Sequence, residues 1–293
     1  MRPRIGANPI IWSNDDLREL GASTSLETCL GQARRIGFEG MELGHKFPRE
    51  PGTLRAILAR YGLECVSGWY SARLREREAR AELALLRPHL DLLKSVRSSV
   101  LVLAEVSGAI HGALHQPLSR RPQLQAAEWK QFGERLSALA RMTLEEGVQL
   151  AYHHHMGTVV QSAADIDVLM DVCAPEVGLL LDTGHAQFAG ADPVRIAKSH
   201  GARIRHLHAK DVRRAVQEQA VAGDWSFLQA VLAGVFTVPG DGCIDFAAVL
   251  RALPGYAGWI VLEAEQDPAR ADPATYAALG YRTLRRLLSE ELQ

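Results

Sequence analysis

The chain alternates eight short apolar segments with longer segments whose apolar residues recur at helical spacing. The apolar segments have strand length and cover residues 4–12, 38–44, 63–69, 98–106, 148–155, 176–182, 203–209 and 258–264. Helical spacing is found at residues 26–36, 53–61, 77–93, 125–146, 163–172, 194–200, 246–253 and 274–292. Parallel strands need helical crossovers, and closing eight strands into a ring leaves no exposed sheet edge. The alternation therefore predicts an α/β fold, a (β/α)8 TIM barrel, with residues 1–293 as a single domain.

An open, doubly wound sheet is the alternative fold for such an alternation. That fold usually has a glycine-rich phosphate-binding turn after its first strand. No such turn follows residues 4–12. Two long connections, residues 107–124 and 211–242, interrupt the regular spacing. In a barrel, we expect both on the face that carries the chemistry, where long loops cover the active site.

Composition excludes several classes of partner. Lys and Arg total 33 and Asp and Glu total 34, a net charge of −1, so no strong field attracts nucleic acid or an anionic membrane. No apolar segment reaches the roughly 20 residues needed to cross a bilayer. The four cysteines are widely separated and form no C-x-x-C motif, which is typical of a reducing compartment. We expect a cytoplasmic protein that acts on a small molecule and binds neither nucleic acid nor membrane.

Candidate metal ligands stand at the ends of four consecutive predicted strands, the fifth to the eighth. The C-terminal ends of barrel strands meet on one face, which carries the active site. These ends bring His153, His154 and His155, then Asp182 and His185, then His206 and His208, and finally Glu263 and Glu265. A single histidine at a strand end is usually a packing residue, but four strands in series are harder to explain that way. Histidine and carboxylate ligands without cysteine suit Mn²⁺, Co²⁺, Fe²⁺, Mg²⁺ or Zn²⁺.

Strand alternation divides these residues between two layers. His153 and His155 share one face and His154 points to the other, so either His153 or His155 is available as the ligand. Asp182 follows an apolar segment, where a carboxylate needs a cation or a donor to compensate its charge. Lys210 lies two residues after His208 on the same face, where it is placed to stabilise an oxyanion or to transfer a proton.

The first half of the chain offers candidate substrate contacts at strand ends. Carboxylate and amide groups bind hydroxyls, and an indole covers the apolar face of a ring, so this mixture suits a polyhydroxylated ring. The candidates are Asn8, Trp12, Glu42, His45, Trp69 and Glu105. For Trp12 and Trp69, packing in the core is an equally good interpretation.

Long and uncommon strings along the whole chain resemble the xylose isomerase-like barrel superfamily, and within it the inosose dehydratases. The strings lie at residues 8–16, 40–48, 66–70, 87–94, 105–110, 151–161, 180–185, 235–246 and 263–268. The superfamily holds one divalent metal by residues from strands five to eight. The resemblance implies that the metal ligands are His153, Asp182, His208 and Glu263, with Mn²⁺ or Co²⁺ as the expected ion. It implies a substrate-contacting or proton-handling role for His185.

The function implied by the resemblance is dehydration of 2-keto-myo-inositol to a trihydroxycyclohexane-1,2-dione. A divalent ion polarises a ketone, so the neighbouring proton becomes removable and the enediolate is stabilised. We expect His185, Lys210 and Glu265 to carry the acid and base roles and His155 to contact the substrate. A sugar or inosose isomerase or epimerase shares the metal and the enediolate and is the alternative. Members of this superfamily often self-associate, so a homo-oligomer is expected.

Overall fold

The computed structural model describes residues 3–290 and contains a closed barrel of eight parallel strands. Its strands are β1 (Arg4–Ala7), β2 (Gly40–Leu43), β3 (Glu64–Ala72), β4 (Val100–Glu105), β5 (Gln149–His153), β6 (Gly178–Asp182), β7 (Ile204–Ala209) and β10 (Trp259–Leu262). Around the barrel they follow the order β1-β10-β7-β6-β5-β4-β3-β2. Each overlaps one predicted segment, so the predicted TIM barrel is confirmed.

Helices connect the strands and surround the barrel. They are α1 (Leu26–Ile36), α2 (Pro51–Tyr61), α3 (Ala79–Ser95), α4 (Ala126–Glu145), α5 (Ala163–Val172), α6 (Thr183–Phe188), α7 (Pro193–His200), α8 (Arg214–Ala222), α9 (Phe227–Ala233), α10 (Phe246–Arg251) and α11 (Pro273–Glu290). The two helices predicted to the residue, α1 and α5, begin at serine caps. Ser25 accepts from Thr28 N and Ser162 from Asp165 N, which satisfies backbone donors at the helix start.

Several strand and helix boundaries differ from the sequence prediction by a few residues. The first strand ends at Ala7, because Pro9 begins a 3-10 turn that the Asn8 side chain caps by accepting from Ile10 N at 2.9 Å. The third strand continues to Ala72, pairing with Glu105 of β4. The predicted end of the last helix at residue 292 lies outside the described residues. The pattern did not predict α6, α8 and α9, which are only six to nine residues long.

The two long connections meet on the C-terminal face of the barrel. Residues 211–242 contain α8, α9 and a small antiparallel pair, β8 (Asp211–Val212) with β9 (Phe236–Thr237). Leu118 N of the first connection donates to Trp225 O at 3.1 Å, and Ser119 Oγ donates to Asp224 at 2.6 Å. Their predicted position is therefore confirmed, and together they cover one side of the barrel mouth. No helix within residues 3–290 combines the length and apolar character needed to cross a bilayer.

Candidate metal centre and active site

Three buried side chains from neighbouring strands converge at the barrel mouth. His153 ends β5, Asp182 ends β6, and His208 lies beside Asp182 in the pairing of β6 with β7. Asp182 Oδ2 is 3.5 Å from His153 Nε2 and 3.4 Å from His208 Nδ1. One nitrogen or oxygen atom of each residue lies within 4.8 Å of the others. Ligands about 2.0–2.2 Å from a shared ion have this separation from one another.

The local structure around Asp182 leaves one carboxylate oxygen free. Asp182 is the N-cap of α6, and its Oδ1 accepts from His185 N at 2.8 Å. Its Oδ2 is buried and has no hydrogen-bond partner among the described residues. A buried acceptor without a partner is costly. Oδ2 therefore fits a metal ligand.

Glu263 extends the cluster from the strand that closes the barrel. It follows β10, and its Oε2 lies 2.9 Å from His208 Nδ1. The same oxygen accepts from Asn8 Nδ2 at 2.9 Å. The four residues that the resemblance implied as ligands therefore lie together. His155 instead groups with His185 and Glu265, so the geometry favours His153 over His155 at the metal position.

The charges around this cluster fit an added cation. Lys210 Nζ lies 2.5 Å from Glu263, 2.6 Å from Glu265 and 3.5 Å from Asp182. Burial opposes protonation of Lys210, but the three carboxylates outweigh it and raise the pKa of Lys210 above its ordinary value. One ammonium thus faces three buried carboxylates, and buried charges need compensation. The donor set is therefore suited to a divalent cation.

Gly184 makes room for the Lys210 side chain. A Cβ atom at this position would lie 2.5 Å from Lys210 Cγ, far closer than packed carbon atoms approach. The methylene chain of Lys210 therefore passes directly over the backbone of α6. This close approach explains the glycine between Thr183 and His185.

Glu42 lies beneath the cluster and fixes the orientation of His208. Burial would raise the pKa of Glu42, but His208 and His206 outweigh it and hold the pKa well below its ordinary range. The Glu42 carboxylate is 3.2 Å from His208 Nε2 and 2.8 Å from His206 Nε2. Asn8 Nδ2 and Ser67 Oγ also donate to it, at 2.7 and 2.5 Å. Its contact with His208 leaves Nδ1 of that ring directed at Asp182 and Glu263.

Glu42→Gln is expected to weaken divalent-metal binding about 10-fold, because residues that orient metal-bound histidines commonly contribute about 10–100-fold. The affinity is measured by calorimetric titration of the metal-stripped protein. Glu105→Gln is the matched control, a buried carboxylate that contacts none of the four clustered ligands. Wild-type affinity in Glu42→Gln would contradict the orienting role.

A second group, His155, His185 and Glu265, lies beside the first. Lys210 Nζ is 3.1 Å from His185 Nε2, and His155 Nδ1 is 2.8 Å from Met156 O. Burial, followed by the charge of Lys210, lowers the pKa of His185 well below its ordinary value. Burial also lowers the pKa of His155. Both rings are therefore neutral at physiological pH.

An open cavity of about 290 Å³ lies over these groups, near the lower limit of small-molecule sites. Of the predicted ligands and catalytic residues, its wall contains His153, His208, Glu263 and Glu265. Lys210, His185 and Asp182 are buried directly behind them. Of the predicted substrate contacts, Asn8, Glu42, Trp69 and His155 line the cavity. The Trp69 ring is 37% exposed and meets His153 and His155 edge-on.

The structure does not place Trp12, His45 or Glu105 in the cavity wall. Trp12 is buried, and its Nε1 donates to Gln32 Oε1 at 2.6 Å. His45 Nδ1 is 2.5 Å from Asp15 Oδ1. The Glu105 carboxylate accepts backbone N–H groups of residues 74, 75 and 107. His45 and Glu105 thus hold neighbouring loops in place, and Trp12 joins its segment to α1.

Sequence reasoning missed other residues that line the cavity, namely Asp15, Asp16, Arg18, Ser71 and His111. Asp15 and Asp16 belong to a string that carried the family resemblance, which is the one signal that pointed to them. His111 lies in the first long connection, held there because Ile110 N donates to Gly157 O at 2.9 Å. A larger groove of about 660 Å³ lies between the two long connections, and none of the predicted site residues lines it.

Comparisons with known proteins identify the family. The family model described as xylose isomerase-like TIM barrel matches residues 30–287. The chain therefore belongs to the xylose isomerase-like TIM-barrel family. Solved structures agree on the fold. The IOLI protein with a bound zinc atom has a TM-score of 0.70 at 15% identity, covering 99% of each chain. The probable 3-DHS dehydratase AsbF of Bacillus anthracis has a TM-score of 0.69 at 14% identity, covering 96% of this chain and 98% of its own.

Curated relatives place the chain more narrowly. The rhizopine catabolism protein MocC of Rhizobium meliloti is 48% identical over 98% of this chain and 89% of its own length. Inosose dehydratase 2 of Bacillus cereus is 42% identical over 94% of this chain and 93% of its own length. The inosose dehydratase of Geobacillus thermodenitrificans has the same identity and the same coverage. Within its family, the chain therefore groups with MocC and the inosose dehydratases.

Proposed function

We propose that this protein is a hydro-lyase that dehydrates 2-keto-myo-inositol, also called scyllo-inosose, to a trihydroxycyclohexane-1,2-dione, using a divalent metal. The observation that carries the proposal is the convergence of His153, Asp182, His208 and Glu263 under a cavity of about 290 Å³. The inosose dehydratases, at 41–42% identity over 94% of the chain, support the substrate and the reaction.

The four ligands suit Mn²⁺ or Co²⁺. Two imidazoles and two carboxylates form a mixed nitrogen and oxygen set without sulfur, which these ions accept. Zinc accepts it as well, and the IOLI structure contains zinc. When bound, the ion acts as a Lewis acid that polarises the ketone and favours loss of the neighbouring proton.

We assign removal of that proton to Glu265. Glu265 lines the cavity, and its Oε1 is 2.6 Å from Lys210 Nζ. Its Oε2 is buried and has no hydrogen-bond partner among residues 3–290. A base within hydrogen-bond reach of its proton contributes about 10²–10⁴-fold to a rate. The contact with Lys210 holds the Glu265 carboxylate in place.

Neutral rings and one indole bind the substrate in this proposal. His155 lines the cavity, with His185 packed against it at 3.9 Å between ring centroids. Neutral imidazoles accept and donate hydrogen bonds, which suits ring hydroxyls. Trp69 offers an apolar face to the ring carbons. Asn8 lies in the same cavity wall, with its side-chain amide donating hydrogen bonds to Glu42 and Glu263.

Metal dependence of the reaction tests the proposal. Protein stripped with a chelator is expected to leave 2-keto-myo-inositol unchanged, and adding Mn²⁺ or Co²⁺ is expected to restore formation of the dione. The conjugated product is followed by its ultraviolet absorbance. Mg²⁺ and Zn²⁺ serve as the comparison ions, and the Glu105→Gln variant as the protein control. Undiminished turnover in the stripped protein would contradict a role for the metal.

Product analysis in D₂O separates dehydration from isomerisation or epimerisation. A dehydratase releases water and forms a conjugated dione, whereas an isomerase or epimerase returns a polyhydroxy compound of unchanged formula. Mass spectrometry distinguishes these outcomes directly. Metal-dependent turnover without loss of water would replace the dehydratase by an isomerase or epimerase.

We also propose that the protein works in the cytoplasm. Cys29, Cys65, Cys173 and Cys243 are all free thiols, and three of them are buried. Burial raises the pKa of Cys65 to about 12 and that of Cys173 to about 12. Such thiols are unreactive packing residues and fit a reducing compartment.

A further inference from the structure

Residues 13–24, between β1 and α1, form a loop that is tied down over the cavity. Asn14 is buried, and its Oδ1 accepts from Asp16 N and Leu17 N, both at 2.7 Å. Lys46 Nζ donates to three carbonyl oxygens of the loop, those of residues 21, 22 and 24. Leu17 packs in an apolar cluster with the second long connection. The loop is therefore a fixed wall of the cavity.

This wall carries two adjacent carboxylates with different surroundings. Asp15 Oδ1 accepts from His45 N at 3.3 Å and lies 2.5 Å from His45 Nδ1. Asp15 therefore fastens the loop to the segment after β2. The Asp16 carboxyl lines the cavity and has no hydrogen-bond partner among the described residues. Only the backbone of Asp16 is held, which leaves its side chain available to a ligand.

Asp16 shares the cavity with charged groups from several elements. Glu263 and Glu265 follow β10, and Asp15 and Arg18 lie on the same loop as Asp16. Lys210, which follows β7, is buried behind this wall. Partial desolvation by the cavity wall, followed by repulsion from Glu265, raises the pKa of Asp16 to about 7. The carboxyl still opens into the cavity. Asp16 is therefore partly protonated near neutral pH and can donate a proton into the cavity.

We propose that Asp16 is a catalytic acid that protonates the departing hydroxyl, in the same cavity as Glu265. This inference rests on the proposed dehydratase function. Two carboxyl groups in different surroundings commonly divide acid and base work between them, and here Glu265 is bound by Lys210 whereas the Asp16 carboxyl is not. Lys210 is the other nearby group with a proton to give, but its ammonium is bound to three carboxylates. The Asp16 carboxyl has no hydrogen-bond partner among the described residues, so its proton is available to the substrate.

The step balances without another reactant. Glu265 takes the proton from the carbon beside the ketone, and the electron pair of that C–H bond forms the enediolate. The enediolate oxygen then re-forms the ketone carbonyl. The electron pair of the enediolate double bond forms a new double bond to the adjacent carbon, and the C–O bond of the hydroxyl on that carbon breaks. The oxygen leaves with the Asp16 proton as water. The enol left behind tautomerises to the dione, and the Glu265 proton returns to Asp16 through solvent.

Asp16→Asn is expected to separate the two halves of the reaction. Solvent deuterium exchange at the carbon beside the ketone, followed by NMR in D₂O, reports proton removal and should stay close to wild type. Dehydration, followed by absorbance, should fall about 10²-fold or more, because general acids contribute about 10²–10⁴-fold. Glu19→Gln removes an exposed carboxylate from the same loop and is the control that should change neither rate.

A better leaving group provides the second readout. An inosose analogue with fluorine in place of the departing hydroxyl needs no protonation, so Asp16→Asn should release fluoride at the wild-type rate. Parallel losses of exchange, dehydration and fluoride release would overturn the proposal and make Asp16 a residue of the wall only. An unchanged dehydration rate in Asp16→Asn would also overturn it. A wild-type enzyme that neither exchanges nor dehydrates the ketone would instead contradict the proposed function.

Discussion

Asp182→Asn is expected to abolish stoichiometric metal binding and to lower dehydration by about 10³-fold or more. The substitution keeps an oxygen for the His185 N–H that Oδ1 now accepts at 2.8 Å. It replaces the charged, unpartnered Oδ2 by an amide nitrogen that cannot bind a cation. Loss of a Lewis acid costs several kcal/mol of transition-state stabilisation, and about 4 kcal/mol corresponds to about 10³-fold. Metal content after gel filtration and the rate of dione formation are the two measurements.

Asp192→Asn is the matched control for that variant. Asp192 is also a helix N-cap, and its Oδ1 accepts from Val194 N at 2.9 Å, but it lies outside the cavity wall. We expect Asp192→Asn to bind one metal and to react normally. If Asp182→Asn retained one ion at wild-type affinity, the proposed ligand set would be wrong.

Lys210→Met is expected to destabilise the metal-stripped protein by about 3–5 kcal/mol, which is the usual cost of removing one partner from a buried charge cluster. It leaves Asp182, Glu263 and Glu265 without their ammonium. Because the pKa of Lys210 is raised above its ordinary 10.5, its stabilisation is complete below that pH and is lost only in more alkaline solution. The full loss in unfolding free energy of Lys210→Met is therefore expected at neutral pH. It is measured by urea unfolding of both metal-free proteins.

The same variant is expected to lose activity even when the metal is present. Without Lys210, Glu265 loses its contact at 2.6 Å, so dehydration should fall about 10²-fold or more. Lys94→Met is the control, since Lys94 pairs with Glu146 at the surface and exposed pairs contribute about 0–1 kcal/mol. Equal stability of Lys210→Met and Lys94→Met would contradict the central place of Lys210 in the charge cluster.

The barrel was predictable because each strand is a short apolar segment between polar turns. Strand ends were harder to predict, since Pro9 ends the first strand through a cap formed by Asn8. The short helix α6 was missed because it begins directly after Asp182 and has only six residues, too few to show a helical period. Helices α8 and α9 are held by apolar contacts with distant residues such as Leu17 and Met156. The spacing of apolar residues within a short segment does not reveal contacts with residues far away in the chain.

The strands that contribute to the cluster of His153, Asp182, His208 and Glu263 were predictable, but the individual residues were only partly so. Parallel strands bring their C-terminal ends to one face, so candidate ligands at the ends of four strands were expected to meet. His153 and His155 share a face of the strand, and sequence alone left the choice open. The structure separates them because β5 ends at His153 and the chain then turns, with His155 N bonded to Val160 O at 3.0 Å.

The substrate contacts show where residue type misleads. Trp12, His45 and Glu105 have suitable chemistry, but Gln32, Asp15 and backbone N–H groups already use it. Those partners depend on tertiary structure. Asp16 and His111 are the opposite case, since they line the cavity but were not predicted. They reach it on loops whose paths are set by contacts of Asn14 and Gly157.

Closure of the barrel joins its first and last strands at the metal site itself. Asn8, just after β1, donates to Glu42 of β2 and to Glu263 after β10, the latter 255 residues away in the chain. Contacts at such separation form late, because closing a long loop is entropically slow. On the proposed ligand set, Glu263 joins the other three residues only when the ring of strands has closed. A chain that has not yet formed its last strand therefore lacks one proposed ligand, and the complete metal site requires the finished barrel.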